Sequence, residues 1–356
     1  MKVLLLGNGG REHALAWALS QSPLCDTLYI APGNPGSHAC GVNVALDALD
    51  FEQVLEFIGD KDIGLTVVGP EQPLVAGITD FLEAKGHAVF GPSTIASQLE
   101  GSKQFAKDFM ARHNIPTAAY KVFSGDYYAE ALAYVDAHNQ YPVVLKADGL
   151  AGGKGVLIPE NREELLAGLE ELRTGSLQDA AQTLVIEEFM PGEEASVFAL
   201  CDGEHFEIMG TAQDHKRQLD GDKGPNTGGM GAYSPSPLLA EDMLNSVSET
   251  IIAPTIAGMA AEGNPYKGFL YVGLMMTSAG PKVVEYNCRF GDPECQVVIP
   301  RLRSDLLTHL VQSTRGELLG EDIVFDQQYR TTVVLVSGGY PVSYDKGFPI
   351  FGLDEL

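Results

Sequence analysis

Two short stretches of this chain set cations where an anion would need them and acids where a cation would. The first is Lys146-Ala147-Asp148-Gly149-Leu150-Ala151-Gly152-Gly153-Lys154-Gly155. A lysine closing an apolar run and a second lysine inside a glycine loop can place two ammonium groups against a polyphosphate, with loop amides completing the cradle. It is not a Walker A loop, which requires Ser or Thr after the lysine, whereas Gly155 follows Lys154. A surface hairpin with incidental lysines is the competing reading, and two lysines bracketing the glycines weigh against it. The second stretch is Val283-Val284-Glu285-Tyr286-Asn287-Cys288-Arg289-Phe290-Gly291-Asp292-Pro293-Glu294. Period-two spacing puts Glu285, Asn287 and Arg289 on one strand face if the strand persists that far. Two oxygen donors at that spacing suit Mg²⁺, and the neighbouring Arg289 could stabilise charge on a transferring phosphoryl group. A buried polar network or an edge-strand charge ladder is the alternative, but the run Lys282 to Val284 leading in favours a lined cleft.

Three further motifs carry weaker signals. Gly7-Asn8-Gly9-Gly10-Arg11-Glu12-His13 follows one apolar run and opens another, so its glycines and a helix N-terminus could receive a phosphate. A plain tight turn explains it as well. A nicotinamide dinucleotide is disfavoured, because the third glycine of that fingerprint falls on Glu12 and the second strand ends Ile30-Ala31-Pro32 without an acid for ribose. Glu187-Glu188-Phe189-Met190-Pro191-Gly192-Glu193-Glu194 could offer backbone groups to an adenine edge and a carboxylate to ribose hydroxyls, although alone it reads more simply as an acidic hairpin. The long polar, glycine-rich segment from Asp214 to Pro237, beginning at Gln213-Asp214-His215-Lys216-Arg217, is expected to be structureless and to cover a site rather than to be a solvated linker. His13, His38 and His87 have no second ligand at a metal-binding interval and are taken as ordinary histidines.

The elements that must hold these residues follow from periodicity. Up to about Pro92, short apolar strands (Lys2 to Leu6, Thr27 to Ile30, Leu65 to Val68) alternate with helices (through Trp17, Phe51 to Ile58, Leu74 to Lys85), the pattern of a doubly wound parallel sheet. Its ligand loops should lie beyond the carboxyl ends of the strands, at Gly7 to Arg11, Ala31 to Gly36 and Gly69 to Pro73. Ser93 caps an expected single helix running to about Asn114, where Pro116 stops it. A small lobe then combines strands at Tyr120 to Phe123, Val143 to Lys146, Val156 to Ile158 and Leu184 to Glu188 with a helix at Tyr127 to His138. A larger lobe has strands near Ser196 to Leu200, His205 to Met209, Leu270 to Met276 and Pro281 to Asn287, and helices over Leu239 to Glu262 and Ser304 to Arg315. A strand at Thr331 to Val336 opens a further unit.

Composition narrows the partners. The 356 residues suggest two or three domains, and 45% hydrophobic with 20% charged residues is ordinary for a packed enzyme. A formal charge of -25 argues against nonspecific nucleic-acid or anionic-membrane binding. The few cations nevertheless recur in motif-like places, which points to anionic ligands. Five cysteines without CxxC spacing read as reduced core thiols, and the N-terminal apolar run stops at Gly7 before a signal core could form, so the cytoplasm is the expected location.

Taken in order, GNGGREHALAW, GPEQPLVAGI, GSKQFAKDFM, KADGLAGGKGV, EEFMPGEEAS, QDHKR, GPNTGGMGAYSP and EYNCRFGDPE closely resemble the glycinamide ribonucleotide synthetases, the phosphoribosylamine–glycine ligases of the ATP-grasp superfamily, from Met1 to the last residue. The resemblance implies an α/β chain with a Rossmann-like substrate domain over 1–100, an ATP-grasp domain over 101–322 with a small hinged lobe at about 121–190, and the beginning of a C-terminal domain over 323–356. It implies that Lys103, Lys146 and Lys154 contact ATP phosphates. Glu187, Glu188, Phe189 and Met190 would form the adenine hinge, and Glu194 would hold the ribose. Glu285 and Asn287 would bind Mg²⁺ or Mn²⁺. Asp214, Lys216, Arg289 and Asp292 would line the reaction centre, and Gly9, Gly10, Arg11 and Gly36 would present phosphoribosylamine. The implied substrates are ATP, glycine and 5-phosphoribosylamine, joined through glycyl phosphate in purine synthesis, with room for a transient contact with the preceding enzyme of the pathway. Chains of this family continue for several dozen residues past position 356, so the unit that starts near Ile323 is expected to be incomplete.

Overall fold

In the computed structural model of the chain, which describes residues 1–150, 155–175, 182–221, 223–318 and 323–352, strand β1 (Lys2–Gly7) runs through the centre of the N-terminal domain. Its side chains alternate between two cores. Val3 and Leu5 pack with Leu15 and Leu19 of α1 (Gly10–Ser20), while Leu4 and Leu6 pack with the layer formed by α2 (Phe51–Lys61) on the other side. A strand covered on both faces reads as a continuous apolar run, as here. With β2 (Thr27–Pro32), β3 (Val42–Asn43), β4 (Leu65–Val68) and β5 (Val89–Phe90) it forms a parallel sheet of order β3-β2-β1-β4-β5. The expected helix over Leu74 to Lys85 is instead two, α3 (Glu71–Ala76) and α4 (Ile78–Glu83). They part at Gly77, whose φ of 100° lies in the left-handed region open to glycine.

The single helix expected from Ser93 to Asn114 is also broken, into α5 (Gln98–Gly101) and α6 (Lys103–Arg112). Ser102 between them is extended, and its hydroxyl caps α6 by accepting the Phe105 N–H at 3.0 Å. Asp148 takes the Gln104 N–H at 2.7 Å and the Ser102 hydroxyl, so the break points the start of α6 at the loop that follows Lys146.

The small lobe contains β6 (Tyr120–Ser124), α7 (Tyr128–His138), β7 (Val143–Ala147), β8 (Val156–Leu157), α8 (Arg162–Thr174) and β9 (Thr183–Glu188), with an antiparallel sheet ordered β6-β9-β7-β8. It has an apolar core of its own, including Phe123, Val135, Leu145, Leu169 and Ile186. The large lobe is built on β10 (Glu193–Asp202), β11 (Phe206–Asp214), β12 (Arg217–Leu219), β13 (Lys223–Asn226), β14 (Gly231–Ser234), α9 (Glu241–Val247), α10 (Ala253–Ala261), β15 (Lys267–Thr277), β16 (Gly280–Asn287), α11 (Cys295–Val298), α12 (Leu306–Arg315) and β17 (Arg330–Val333). Its antiparallel sheet runs β16-β15-β10-β11-β14-β17. Leu200, Phe269 and Phe290 of this lobe share one core with Leu5 and Leu15 of the N-terminal sheet, so those two bodies are fused, whereas the small lobe stands on a separate core.

Two further expectations need correction. The segment from Asp214 to Pro237 is not structureless: β12 and β13 form a hairpin, and β14 joins the main sheet between β11 and β17. The helix expected over Leu239 to Glu262 is interrupted by a π-helical turn at Ser248–Ile252, next to Pro254, which cannot supply the N–H that the preceding turn needs. The cysteines are all free, with Cys201, Cys288 and Cys295 buried and Cys25 and Cys40 half-buried.

Candidate active site

Lys146 sits near the end of β7, where an apolar strand delivers a charged side chain to the junction of the lobes. Its ammonium lies 2.9 Å from the Glu187 carboxylate on β9 and donates to the Val284 carbonyl of β16 at 3.1 Å. Lys103, the first residue of α6, donates to the Gly149 carbonyl at 3.3 Å. Burial pulls its ammonium below the ordinary lysine range against the attraction of Glu285. Lys154, the other lysine of the glycine loop, lies outside the described residues, as do Gly152 and Gly153.

Glu285 faces a ring of cations. Burial alone would raise its carboxyl, but Lys216, Lys146, Lys103 and Arg289 together hold it below the usual carboxylate range. Lys216, just past β11, lies among three acids: 3.2 Å from Glu194, 3.7 Å from Glu285 and 4.0 Å from Asp214. Burial opposes its charge, yet Tyr271 and these carboxylates hold the ammonium well above its ordinary value. Asp214 is raised by burial and by Glu194 and Glu285 despite Lys216. Glu294, which no motif reading used, is pushed up to about 7, mainly by burial and then by Asp214.

Strand β16 ends at Asn287, so Arg289 is not on the strand face with Glu285. It curls back all the same. Its guanidinium donates to Asn287 Oδ1 at 3.1 Å, Glu100 at 2.7 Å and Glu71 at 3.2 Å, which joins the main sheet to α5 and to the first residue of α3. Asn287 thus presents an amide oxygen already polarised by a cation. Glu285 and Asn287 are hard oxygen donors of the kind Mg²⁺ or Mn²⁺ selects. Among the described residues no three His, Cys, Asp or Glu side chains are grouped to hold a metal by themselves, so an ion here would draw further ligands from phosphate and water, as Mg²⁺ habitually does.

The N-terminal loop converges on the same region, but its donors are engaged internally. The Gly9 N–H donates to Glu12 at 2.7 Å, and the Arg11 guanidinium donates to Glu12 at 2.5 Å and to the Phe290 carbonyl at 3.3 Å. Asp292 accepts the Arg11 N–H at 3.3 Å and the Gln296 amide at 2.6 Å. A Cβ on Gly9 would come within 2.9 Å of an Asp292 carboxylate oxygen, and one on Gly10 would strike the Gln296 amide nitrogen, so the loop packs closely against both side chains. Gly36 abuts His13 and gives its N–H to Asn34, which in turn donates to the carbonyls of Asn8 and Gly9. Glu12 occupies the crevice between Gly7 and Gly69, where a side chain on either glycine would collide with it. A phosphate reaching the Gly9 or Arg11 amide would therefore have to displace a carboxylate.

At the acidic end of β9, Glu187 turns inward to two lysines rather than outward, and Glu188 accepts the Ala119 N–H at 3.1 Å and pairs with Lys282 at 3.3 Å. Phe189 is exposed, Met190 is buried, and Glu194 is paired with Lys216. Sequence reasoning missed Lys107, Glu71, Glu100 and Glu294. Signals were present: Lys107 lies one helical turn after Lys103, Glu71 is in GPEQP, and Glu100 immediately precedes GSK.

A parallel-sheet domain fused to a large antiparallel lobe, with a small hinged lobe delivering a lysine opposite an acid–amide pair, defines an ATP-grasp ligase. The family model "Phosphoribosylglycinamide synthetase, N domain" matches residues 1–100, and "Phosphoribosylglycinamide synthetase, ATP-grasp (A) domain" matches residues 101–295. A phosphoribosylamine–glycine ligase of Yersinia pestis is 51% identical over all of this chain and 83% of its own length. The crystal structure of phosphoribosylamine–glycine ligase from Thermotoga maritima superposes with a TM-score of 0.84 at 35% identity, covering 98% of this chain and 83% of that one. N5-carboxyaminoimidazole ribonucleotide synthetase of Thermus thermophilus, at 19% identity and a TM-score of 0.66 over 93% of this chain and 82% of that one, shares the fold. The chain belongs to the phosphoribosylglycinamide synthetase family. Among the described residues no helix is long and apolar enough to cross a membrane.

Proposed function

We propose that this chain joins glycine to 5-phosphoribosylamine with ATP, giving glycinamide ribonucleotide, ADP and phosphate in purine biosynthesis, and that it does so through glycyl phosphate. A glycine carboxylate oxygen attacks the γ-phosphorus and ADP leaves. The amine of phosphoribosylamine then attacks the acyl carbon, loses a proton and expels phosphate. The first step brings an anion onto a polyanion, so cations and positioning must supply most of the catalysis and no protein nucleophile is required.

Lys103 and Lys146, with Lys154 of the same glycine loop, would hold the nucleotide phosphates. The chain from Glu187 to Met190 would line the adenine, with the exposed Phe189 against it, and Glu194 would take the ribose on release from Lys216. Glu285 and Asn287 would hold Mg²⁺ or Mn²⁺, which neutralises phosphate charge when bound. Asp214, Lys216, Arg289 and Asp292 would frame the acyl phosphate. Gly9, Gly10, Arg11 and Gly36 would receive phosphoribosylamine once Glu12 or Asp292 gives way. A covered site keeps water from the acyl phosphate, a role suited to the β12–β13 hairpin. A domain limit at residue 100 and a cytoplasmic setting belong to the same reading, as does a passing contact with the enzyme supplying phosphoribosylamine; a second limit at residue 322 would make β17 a strand that the next domain lends to the large-lobe sheet through β14.

The observation that carries this reading is the placing of Lys216 at 3.7 Å from Glu285 and of Lys146 on the carbonyl of the adjoining Val284, beside the amide donor Asn287. Purified protein with Mg²⁺ and ATP is expected to release ADP only when both glycine and phosphoribosylamine are supplied. Release with another acid and amine, and none with this pair, would remove the assignment.

A further inference from the structure

We propose that Lys107 is a positioning residue for Lys146: it shares the Glu187 carboxylate with that lysine, fixing Lys146 in place while leaving its positive charge available to nucleotide phosphates. This deepens the reading above, on which Lys146 faces those phosphates.

Lys107 Nζ lies 2.9 Å from one Glu187 oxygen and Lys146 Nζ lies 2.9 Å from the other, and the side chains of all three are 3–6% exposed. Burying so many charges is unfavourable unless each is matched, and a structural ion pair would need only two of them. Glu187 and Lys146 alone would form a neutral pair, offering little potential to an incoming anion. The third member restores a net positive charge, and in a poorly solvated setting that charge acts on whatever lies beyond Lys146.

The same group of residues spans the junction between lobes with separate apolar cores. Lys107 donates to the Thr117 hydroxyl at 2.8 Å, and Thr117 donates to the Val283 carbonyl at 2.7 Å. Lys146 donates to the next carbonyl, that of Val284, directly before Glu285. Two consecutive carbonyls of β16 are therefore held by the two lysines, one directly and one through Thr117, so the spacing of Lys146 from Glu285 is set from both sides. Facing Lys107 are Glu187 and Glu188 from β9, Lys146 from β7, the neutral Thr117, and the Tyr120 ring of β6 at 6.0 Å. Burial and Lys146 lower its ammonium to about 8 while the two glutamates raise it.

The test uses the full chain, with ADP and Mg²⁺ as the calorimetric probe. Lys107→Met is expected to weaken ADP binding by about 10- to 100-fold, the usual effect of removing a residue that orients a ligand-binding group, with the glycine KM changed by no more than about twofold. In the parent, ADP affinity should fall as pH rises through about 8, because loss of the Lys107 proton leaves a neutral pair. Lys107→Arg, charged at every such pH, should retain affinity and lack that fall. If Lys107→Met does not fold, the parent and Lys107→Arg profiles still decide. A Lys107→Met protein that melts earlier but binds ADP like the parent, or matching pH profiles for parent and Lys107→Arg, would overturn the proposal. Lys146→Ala separates the two readings: normal ADP binding by that variant overturns both, and impaired binding beside a normal Lys107→Met overturns only this one.

Discussion

Arg289 and Glu100 meet at 2.7 Å although they are far apart in the chain, and the same guanidinium holds Glu71 at 3.2 Å. One cation thus ties the end of β16 to α5 and to the start of α3, and so joins the main antiparallel sheet to the N-terminal domain.

Replacing that cation leaves two poorly solvated carboxylates facing each other. Arg289→Met is expected to lower unfolding free energy by about 3–5 kcal/mol, as when one partner of a buried ion pair is removed. Urea denaturation measures this. A loss below about 1 kcal/mol would mean that the cluster behaves as a solvated surface pair.

The cluster also predicts an acid response. Burial pushes Glu71 upward, but Arg289, its own backbone amide and Arg11 outweigh it and hold the carboxyl below the ordinary range. A carboxylate lowered on folding contributes stability above its unfolded pKa and loses it as pH falls through the folded one. Glu100 shifts the other way, raised by burial and Glu71 against Arg289, so the comparison should change Glu71 alone. The melting-temperature advantage of the parent over Glu71→Gln should be full at neutral pH and shrink below about pH 4.3, the ordinary glutamate value. A gap constant from neutral to acid pH would contradict this assignment of the charge.

The chain after β17 reaches back to the hairpin. The Tyr340 hydroxyl accepts the Gly228 N–H at 3.1 Å, and the Gln218 amide donates to the Tyr340 carbonyl. Tyr340→Phe should loosen residues 217–231 by about 1 kcal/mol, the worth of one such bond, and leave the β10–β15 core unchanged. Hydrogen exchange by mass spectrometry reads both regions; uniform exchange in 217–231 would show that the hydroxyl contributes nothing there.

Local pattern alone determined β1, β2 and β4 of the parallel sheet, though not the two-residue edge strands β3 and β5, together with the apolar run that delivers Lys146 and the motif series that marks the family, because side-chain period and glycine spacing are properties of neighbouring residues. It could not show that Ser102 breaks a helix to meet Asp148, or that 214–237 pairs into strands, since each depends on a partner elsewhere. Nor could it reveal that Glu187 turns in to Lys107 and Lys146, that Glu12 fills the loop expected to hold phosphate, or that Asp292 sits on the N-terminus of α1 from 281 residues away. Which charges meet is settled by which strand ends and helix starts the packed lobes bring together. Coulomb attraction acts through space in a medium of low polarity, and separation along the chain says nothing of separation in space.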